Sequence, residues 1–352
     1  MEKHSKVTRQ ATPAETIGID LGDKISRYAI VDEMGNLMEE GKFHNQAESI
    51  RKHFGQGMRA RVAIEVGSQS AWIARELKQL GHEVIVANAR QVKWITASDQ
   101  KNDRVDALKL ARLARVDTKL LAPVEHRSEQ QQAELSVIRA RDAVVRARAL
   151  LVNAARGMAK GIGHRMPKAI TSTFGVRTLQ VLPAQLRPAL EGLLQQIDQL
   201  SAAIQGYDEA IAQLIERHPE VKRLKTIRGV GPLTAMTFVL TVGSAERFAH
   251  SRDVASYLGL RPKQKQSGTC DPQLGIAKSG NKYLRKLLVQ CAHHVLGRFG
   301  IDSSLRRWGL VKSEGSKNAK KRAIVAVARK LAVLLHRLWV TGETYKPFPQ
   351  MG

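Results

Sequence analysis

The chain has 352 residues, of which 43% are hydrophobic, and it carries 57 Lys and Arg residues against 32 Asp and Glu residues. This length predicts about two domains, and the net charge of +25 predicts a polyanionic partner, most simply nucleic acid. The two cysteines, Cys270 and Cys291, exclude a disulfide framework and form no CxxC zinc motif. Because no run of about 18 apolar residues occurs and the first residues are polar, we expect no membrane span, no signal peptide and a cytoplasmic, nucleoid-associated protein.

The charge is distributed unevenly along the chain. Residues 1–110 hold 17 basic and 15 acidic residues, whereas residues 225–352 hold 23 basic and six acidic residues. The first part could therefore carry chemistry based on carboxylates, while the last part holds a nucleic-acid backbone.

After a basic tail at 1–14, residues 15–125 alternate between strand and helix patterns. Apolar runs at 17–21, 26–32 and 37–43 predict three strands, and runs at 61–65 and 82–87 predict two more. Helical spacing occurs at 47–54, at 70–80 and from 103 onward. The order β-β-β-α-β-α-β-α predicts a ribonuclease-H-like α/β domain with a mixed sheet.

Four carboxylates could meet in such a domain. Asp20 and Glu65 each end an apolar strand pattern, and Asp103 and Asp106 share one face of a predicted helix. Hard oxygen ligands suit Mg²⁺ or Mn²⁺, and two metal ions about 4 Å apart can support phosphodiester cleavage. We therefore predict a divalent-metal site, against the simpler interpretation that these acids are surface charges.

Residues 126–220 predict a helical, coiled-coil-like connector. One long helix is expected at 128–162, and a second at 184–217 carries apolar residues every three or four positions. The two helices could form an antiparallel hairpin or associate as a dimer. Arginines of the first helix are candidates for phosphate contacts, with a solvated helix face as the alternative. They include Arg139, Arg141, Arg146 and Arg148.

The C-terminal domain, 221–352, is predicted to be mostly helical, with helices at 248–260, 282–299 and 318–340. Before them, Gly229 and Gly231 lie in a turn between two helical patterns. This arrangement is typical of a helix-hairpin-helix, whose backbone N–H groups suit a phosphate, and a plain helical turn is the alternative. The basic residues predicted to contact nucleic acid here are Arg261, Lys263, Lys265, Lys278, Lys282 and Arg285.

Ser267 is the candidate nucleophile. It precedes Gly268 and follows three cations within six residues. Glycine gives access to the hydroxyl, and cations can neutralise a phosphate and the charge of attack. Ser279 also precedes a glycine, so local chemistry does not choose between the two serines, and an ordinary loop serine remains the simplest interpretation of each.

Together these motifs resemble the DEDD-type transposases of bacterial insertion sequences, family one-ten, close to its eleven-eleven subgroup. The resemblance spans nearly the whole chain. The stretches that carry it are Ile17-Gly18-Ile19-Asp20, Ala63-Ile64-Glu65, Lys101-Asn102-Asp103-Arg104-Val105-Asp106-Ala107, Gly229-Val230-Gly231-Pro232-Leu233-Thr234-Ala235, Gln266-Ser267-Gly268 and Lys278-Ser279-Gly280-Asn281.

The resemblance implies a RuvC-like first domain in which Asp20, Glu65, Asp103 and Asp106 bind Mg²⁺, and a C-terminal domain in which Ser267 is the nucleophile. It also implies a structured, bridge-type non-coding RNA that pairs with donor and target DNA. The implied assembly is a homo-oligomer, a dimer or tetramer, in which the acids of one subunit and the serine of another complete an active site. RNA pairing would then select the sequence, while the protein contacts backbone and shape.

The leading hypothesis is therefore a site-specific DNA recombinase. The first alternative is a junction-resolving nuclease that uses water and the four acids. The second is a nucleic-acid-binding protein without catalysis. A sugar-kinase-like or actin-like ATPase is the weakest alternative, because the chain lacks a second glycine-rich phosphate loop and is too basic for that class.

Overall fold

The structure is a computed structural model that describes residues 13–56, 58–88, 103–168, 170–263 and 274–348, with the side chain of Asp103 outside this description. The chain divides into two compact units, Met1–Glu129 and Gln130–Gly352. None of the described helices is long and apolar enough to cross a membrane.

The N-terminal unit contains a five-stranded mixed sheet. Its strands are β1 (Thr16–Asp20), β2 (Ile25–Val31), β3 (Leu37–His44), β4 (Arg61–Glu65) and β5 (Glu83–Ala87). They lie in the order β3-β2-β1-β4-β5. The first three strands pair antiparallel, whereas β1, β4 and β5 run parallel. The predicted ribonuclease-H-like sheet is confirmed.

Helices cover both faces of this sheet because its central strands alternate their side chains between two cores. Helices α1 (Ala47–Phe54) and α2 (Ser70–Gln79) pack on the face that carries Val62 and Ile64. Helix α3 (Asp103–Val116) packs on the opposite face, with Leu110 and Ala114 in one cluster with Ala63. The near-continuous apolar sequence of β4 follows from this two-sided burial.

The second unit is helical, as predicted. Its α-helices are α4 (Glu129–Gly161), α5 (Phe174–Gln180), α6 (Arg187–Glu216), α7 (Pro219–Leu224), α8 (Pro232–Val242), α9 (Ser251–Tyr257), α10 (Lys282–Leu296), α11 (Ser304–Ser313) and α12 (Lys317–Thr341). The prediction of one helix over 248–260 is wrong in extent. Phe248 and His250 have extended backbones, and Gly259 leaves the helix with a φ of +67°.

Helices α4 and α6 form an antiparallel hairpin. Arg141 pairs with Asp208 and Arg148 contacts Ser201, so positions advance along α4 as they recede along α6. Farther along, Val152 and Ala155 share a core cluster with Leu194 and Ile197. Of the two arrangements left open by the apolar stripe, the structure has the hairpin, and it buries much of that stripe within one chain.

Helix α8 lies at the centre of the C-terminal core. Nine of its residues, Thr234 to Val242, are buried. They share a cluster with residues of α10 and α12, including Leu288, Val327 and Leu331. Because α8 is apolar on all sides, it can only be stable enclosed by other helices.

His336 of α12 is buried in this core, and we expect it to make the folded unit sensitive to acid. Its Nδ1 lies 3.0 Å from the Ser251 hydroxyl, and its Nε2 lies 2.9 Å from the Ala245 carbonyl oxygen. These partners suit a neutral ring that donates from Nε2 and accepts at Nδ1. Burial lowers the pKa of His336 below its ordinary value of 6.5.

A lowered pKa means that the unfolded chain binds the proton more readily, so the His336 contribution to stability is present above about pH 6.5 and is lost as the pH falls below it. We expect the urea midpoint of wild type to fall more between pH 7.5 and 5.5 than that of His336→Gln, which keeps an N–H donor and cannot titrate. Equal falls in the two proteins would contradict this assignment.

Candidate active site

Asp20 and Glu65 end two neighbouring parallel strands. Ile19 of β1 is in register with Ile64 of β4, so the next residue of each strand, an acid in both cases, lies at the same edge of the sheet. Both acids are partly exposed. The carboxyl ends of parallel strands are the usual place for a site in an α/β sheet.

Gly18 lets helix α3 approach β1 at backbone distance. A Cβ atom on Gly18 would lie 2.0 Å from the carbonyl oxygen of Ala107 and 2.5 Å from the amide nitrogen of Ala111. Only glycine permits this approach. Asp106 immediately precedes Ala107, and Asp20 is two residues beyond Gly18, so this contact holds the two acids in neighbouring parts of the unit.

The direction of α3 places its first turn at the edge where the acids lie. The Arg61 guanidinium, at the start of β4, donates to the Ala114 carbonyl oxygen near the end of α3 at 3.2 Å. Ala107, seven residues earlier in the helix, lies against Gly18, which is farther along the parallel strands than Arg61. The helix therefore runs antiparallel to β4, and its 14 residues cover about 20 Å. Its N-terminal end, with Asp103 and Asp106, reaches the edge that carries Glu65.

Hydrogen bonds hold the chain after each of the two strands, from side chains after β1 and from the backbone after β4. The Asn45 amide donates to the Gly22 carbonyl oxygen at 2.9 Å, and the Gln69 amide donates to the Asp23 carbonyl oxygen. After β4, the Val66 amide donates to the Ala87 carbonyl oxygen at 2.9 Å. These bonds hold the chain that leaves Asp20 and Glu65, which is the preorganisation a metal site needs.

A lysine accompanies Asp106. Lys109 Nζ lies 3.5 Å from Asp106 Oδ1, one helical turn away. Within the described residues, no group of three or more His, Cys, Asp or Glu side chains is arranged to hold a metal ion. Asp20 and Glu65, two carboxylates at one sheet edge, still fit Mg²⁺ or Mn²⁺ in chemical type.

Two residues of this site were not predicted from the sequence. Gly18 interrupts a strand pattern, and glycine at such a position can signal close backbone approach. Lys109 follows Asp106 by three residues, a spacing that puts the two on one helix face.

Ser267 lies outside the described residues, as does Lys265. On either side of that segment the chain pairs with itself, since Lys263 N–H donates to the Gly275 carbonyl oxygen and Ala277 N–H donates to that of Arg261, both at 2.9 Å. Arg261 and Lys263 are exposed. The described residues on the two sides of 264–273 thus pair with each other, and the role predicted for Ser267 stays a prediction.

The Ser279 motif has a structural explanation. Gly280 has a φ of +71°, and a Cβ atom there would lie 2.0 Å from the Tyr257 carbonyl oxygen. Asn281 caps α10 by accepting from Leu284 N–H at 2.9 Å. Arg285 donates to the carbonyl oxygens of Leu258 and Ser279 at 2.8 and 2.6 Å. Lys278 and Lys282 remain exposed, whereas burial lowers the pKa of Arg285.

The arginines of α4 differ in their contacts. Arg141 makes a bidentate pair with Asp208 at 2.6 and 3.1 Å, and Arg146 pairs with Asp142 at 3.1 Å. Arg148 donates to Ser201 at 3.0 Å. Arg139 is exposed. Arg141 and Arg148 therefore link the two helices of the hairpin, whereas Arg146 pairs within α4. Phosphate binding by this face stays a prediction.

The predicted hairpin turn lies between α7 and α8. Gly229 has a φ of +94°, and its missing Cβ would contact His294 and Val295 of α10 at 3.0 and 3.2 Å. Gly231 is the N-cap residue of α8. A cavity of about 420 Å³ adjoins both glycines and is lined from α10 by residues that include Gln290 and His294. A left-handed turn and close packing explain Gly229; its phosphate contact remains a prediction.

Known protein families match both units. Residues 17–163 match the DEDD transposase model of the IS110 type, and residues 221–308 match the model described as "Transposase IS116/IS110/IS902 family". The chain is 30% identical over 324 residues to the transposase for insertion sequence element IS1328 of Yersinia enterocolitica, covering 90% of this chain and 94% of that protein. The chain belongs to the IS110/IS116 transposase family.

Two further relatives of this IS110/IS116 transposase extend the comparison. The transposase for insertion sequence element IS1111A of Coxiella burnetii is 26% identical over 347 residues, 97% of this chain and 94% of that protein. The pilin gene-inverting protein of Moraxella bovis is 33% identical over 139 residues, 38% of this chain and 42% of that protein.

Family membership confirms the coarse function. This protein is a transposase that acts on DNA in insertion-sequence recombination, and its DEDD domain implies dependence on divalent metal. The arrangement of Asp20, Glu65 and α3 at one edge of the sheet is the part of the structure that can serve that chemistry.

Proposed function

We propose that this transposase cuts and rejoins DNA strands through a serine nucleophile and a carboxylate-bound metal site. The observation that supports it most is the register of β1 with β4, which ends both strands on an acid at one edge, with the first turn of α3 beside them. The resemblance of part of the chain to a pilin gene-inverting protein favours recombination over simple cutting.

Asp20, Glu65, Asp103 and Asp106 are the residues that would hold Mg²⁺ or Mn²⁺. When bound, such ions supply positive charge that stabilises the oxygens around phosphorus during displacement. The carboxylates would fix the position of that charge, and Asn45 and Gln69 hold the loop after Asp20 in place. Lys109 pairs with Asp106; a bound cation would compete with Lys109 for this carboxylate, and a phosphate would compete for the Lys109 ammonium.

Ser267 would attack the phosphorus of one strand. Its Oγ–P bond forms as the bond from phosphorus to one strand oxygen breaks, the serine proton passes to a base or to water, and the leaving oxygen takes up a proton. The resulting phosphoserine ester keeps the phosphodiester bond energy, so a second strand hydroxyl can reverse the step and rejoin DNA. Neighbouring cations would neutralise the phosphate.

Cleavage of element-junction DNA distinguishes this mechanism from the junction-resolving nuclease. With Mg²⁺ present, we expect Ser267→Ala to lower strand cleavage about 1000-fold, because the variant lacks the attacking oxygen, and chelator to abolish cleavage by wild type. Ser279→Ala is the matched control and should cleave like wild type. Cleavage by Ser267→Ala at the wild-type rate would favour water as nucleophile and the nuclease alternative.

A structured non-coding RNA is the proposed source of sequence choice. The 25 excess positive charges suit an assembly that contains RNA and two DNA duplexes. We propose that the protein binds these as a dimer or tetramer, with the acids and the serine of different subunits in one active site. Recombination at the same sequences and rate in the absence of the RNA would contradict the proposal that RNA selects the sequence.

A further inference from the structure

A basic groove lies in the C-terminal part of the second unit, and none of the residues that line it belongs to the candidate active site. Its cavity of about 1310 Å³ is bounded by α11, α12 and the segment after α12. The α12 residues on its wall include Ala326, Arg329, Lys330, Val333 and Arg337. Their spacing of three and four places them on one face of the helix.

The described lining of this groove is strongly cationic. Its six basic residues are Arg252, Lys312, Arg329, Lys330, Arg337 and Lys346. All six are exposed, and Glu343 is the one acid among the described lining residues. None of the six is in a salt bridge with another described residue. They differ in this from Arg141 and Arg146, which have carboxylate partners.

The groove also offers apolar and aromatic surface. Trp308 of α11 holds two of the cations against its ring, with Lys330 Nζ 3.8 Å and Lys312 Nζ 5.4 Å from the ring centroid. Val333 and Leu334 contribute partly buried apolar side chains to the wall. The ring attracts both ammonium groups and so offsets part of their mutual repulsion.

We propose that this groove binds a single-stranded segment of nucleic acid. Arg329 and Arg337 are eight residues apart on α12, about 12 Å along the axis, so the cationic face can follow several successive phosphates. The apolar wall and Trp308 suit unpaired bases, which a duplex would keep stacked inside. Charge complementarity selects a polyanion, and the combination of cations with aromatic surface selects an unpaired strand.

The binding test uses the full chain with a labelled oligonucleotide as single-stranded DNA, as single-stranded RNA and as a DNA duplex. The variant Arg329→Gln/Lys330→Gln/Arg337→Gln removes three groove charges. Its matched control, Lys160→Gln/Arg177→Gln/Arg187→Gln, removes one exposed charge from each of α4, α5 and α6. The logarithm of the binding constant falls linearly with the logarithm of the salt concentration, and each phosphate contact to a single strand adds about 0.7 to the magnitude of that slope. We therefore expect the slope of the groove variant to be smaller in magnitude than that of wild type by about 2, and its binding to be tenfold weaker or more.

The control variant should keep the wild-type slope. Equal slopes and affinities in the groove and control variants would overturn the proposal, as would a loss confined to the duplex. The comparison of DNA with RNA strands identifies which one the groove prefers. The measurement reports binding alone, so it is independent of whether Ser267 or the four acids catalyse cleavage.

Lysine acylation tests directly whether the single strand binds in this groove. We expect a bound single strand to protect Lys312, Lys330 and Lys346 from an acylating reagent and to leave Lys160 as reactive as in the free protein. Equal protection of the groove lysines by a poly-glutamate peptide at the same charge concentration would contradict the proposal and indicate an acidic protein partner.

Discussion

Asp20→Asn is expected to lower metal-dependent strand cleavage about 100-fold or more while the protein stays folded. The substitution keeps the size of the side chain and removes the negative charge that would hold a divalent cation at the end of β1. Cleavage of element-junction DNA in Mg²⁺, measured as single-turnover rates with saturating protein, separates this loss from a loss of DNA binding.

Asp23→Asn provides the matched control for that substitution. Asp23 is an exposed acid three residues farther along the same loop, so the charge change and its surroundings are similar. We expect Asp23→Asn to cleave within about twofold of wild type, as is typical of surface changes away from a site. If Asp20→Asn also cleaved within twofold, Asp20 would have no part in the chemistry.

Gly18→Ala should have the largest effect on the N-terminal unit. An added Cβ would meet main-chain atoms of Ala107 and Ala111, and backbone cannot move aside as a flexible side chain can. Helix α3 must shift, so we expect a loss of about 3 kcal/mol in the stability of this unit and, because Asp106 shifts with the helix, slower cleavage.

Hydrogen exchange at the β1 amides measures this effect in the N-terminal unit alone. Gly67→Ala is the control, since no atom lies within 4 Å of the position its Cβ would take, and it should change stability by less than about 0.5 kcal/mol. Unchanged exchange in Gly18→Ala would show that α3 does not depend on the glycine contact.

The elements with strong periodicity were predictable from the sequence. The five strands and the helices α1 to α4 and α6 follow from apolar spacing, and their bounds differ from the prediction by a few residues at most. The helices α5 and α11 were not predicted. The buried residues of α5 are Phe174, Gly175 and Thr178, and that of α11 is Gly309, so neither helix carries a repeating stripe of large apolar residues.

The acidic residues of the candidate site could be predicted from the sequence, but the contacts that bring their elements together could not. Asp20 and Glu65 could be named because each ends an apolar run, and the parallel register of β1 with β4 then brings them to one edge. The closeness of α3 depends on Gly18, whose contact partner is almost 90 residues away in the chain. The basic groove depends on tertiary packing between α11 and α12, which local patterns do not specify.

The most direct test of the central claim is a search for a covalent link between the protein and DNA. Labelled element-junction DNA is incubated with the RNA and Mg²⁺, and the products are separated under denaturing conditions for wild type, Ser267→Ala and Ser279→Ala. We predict a labelled protein–DNA adduct with wild type and Ser279→Ala and none with Ser267→Ala. Cut DNA without an adduct in all three proteins would contradict the serine mechanism and identify a metal-dependent nuclease.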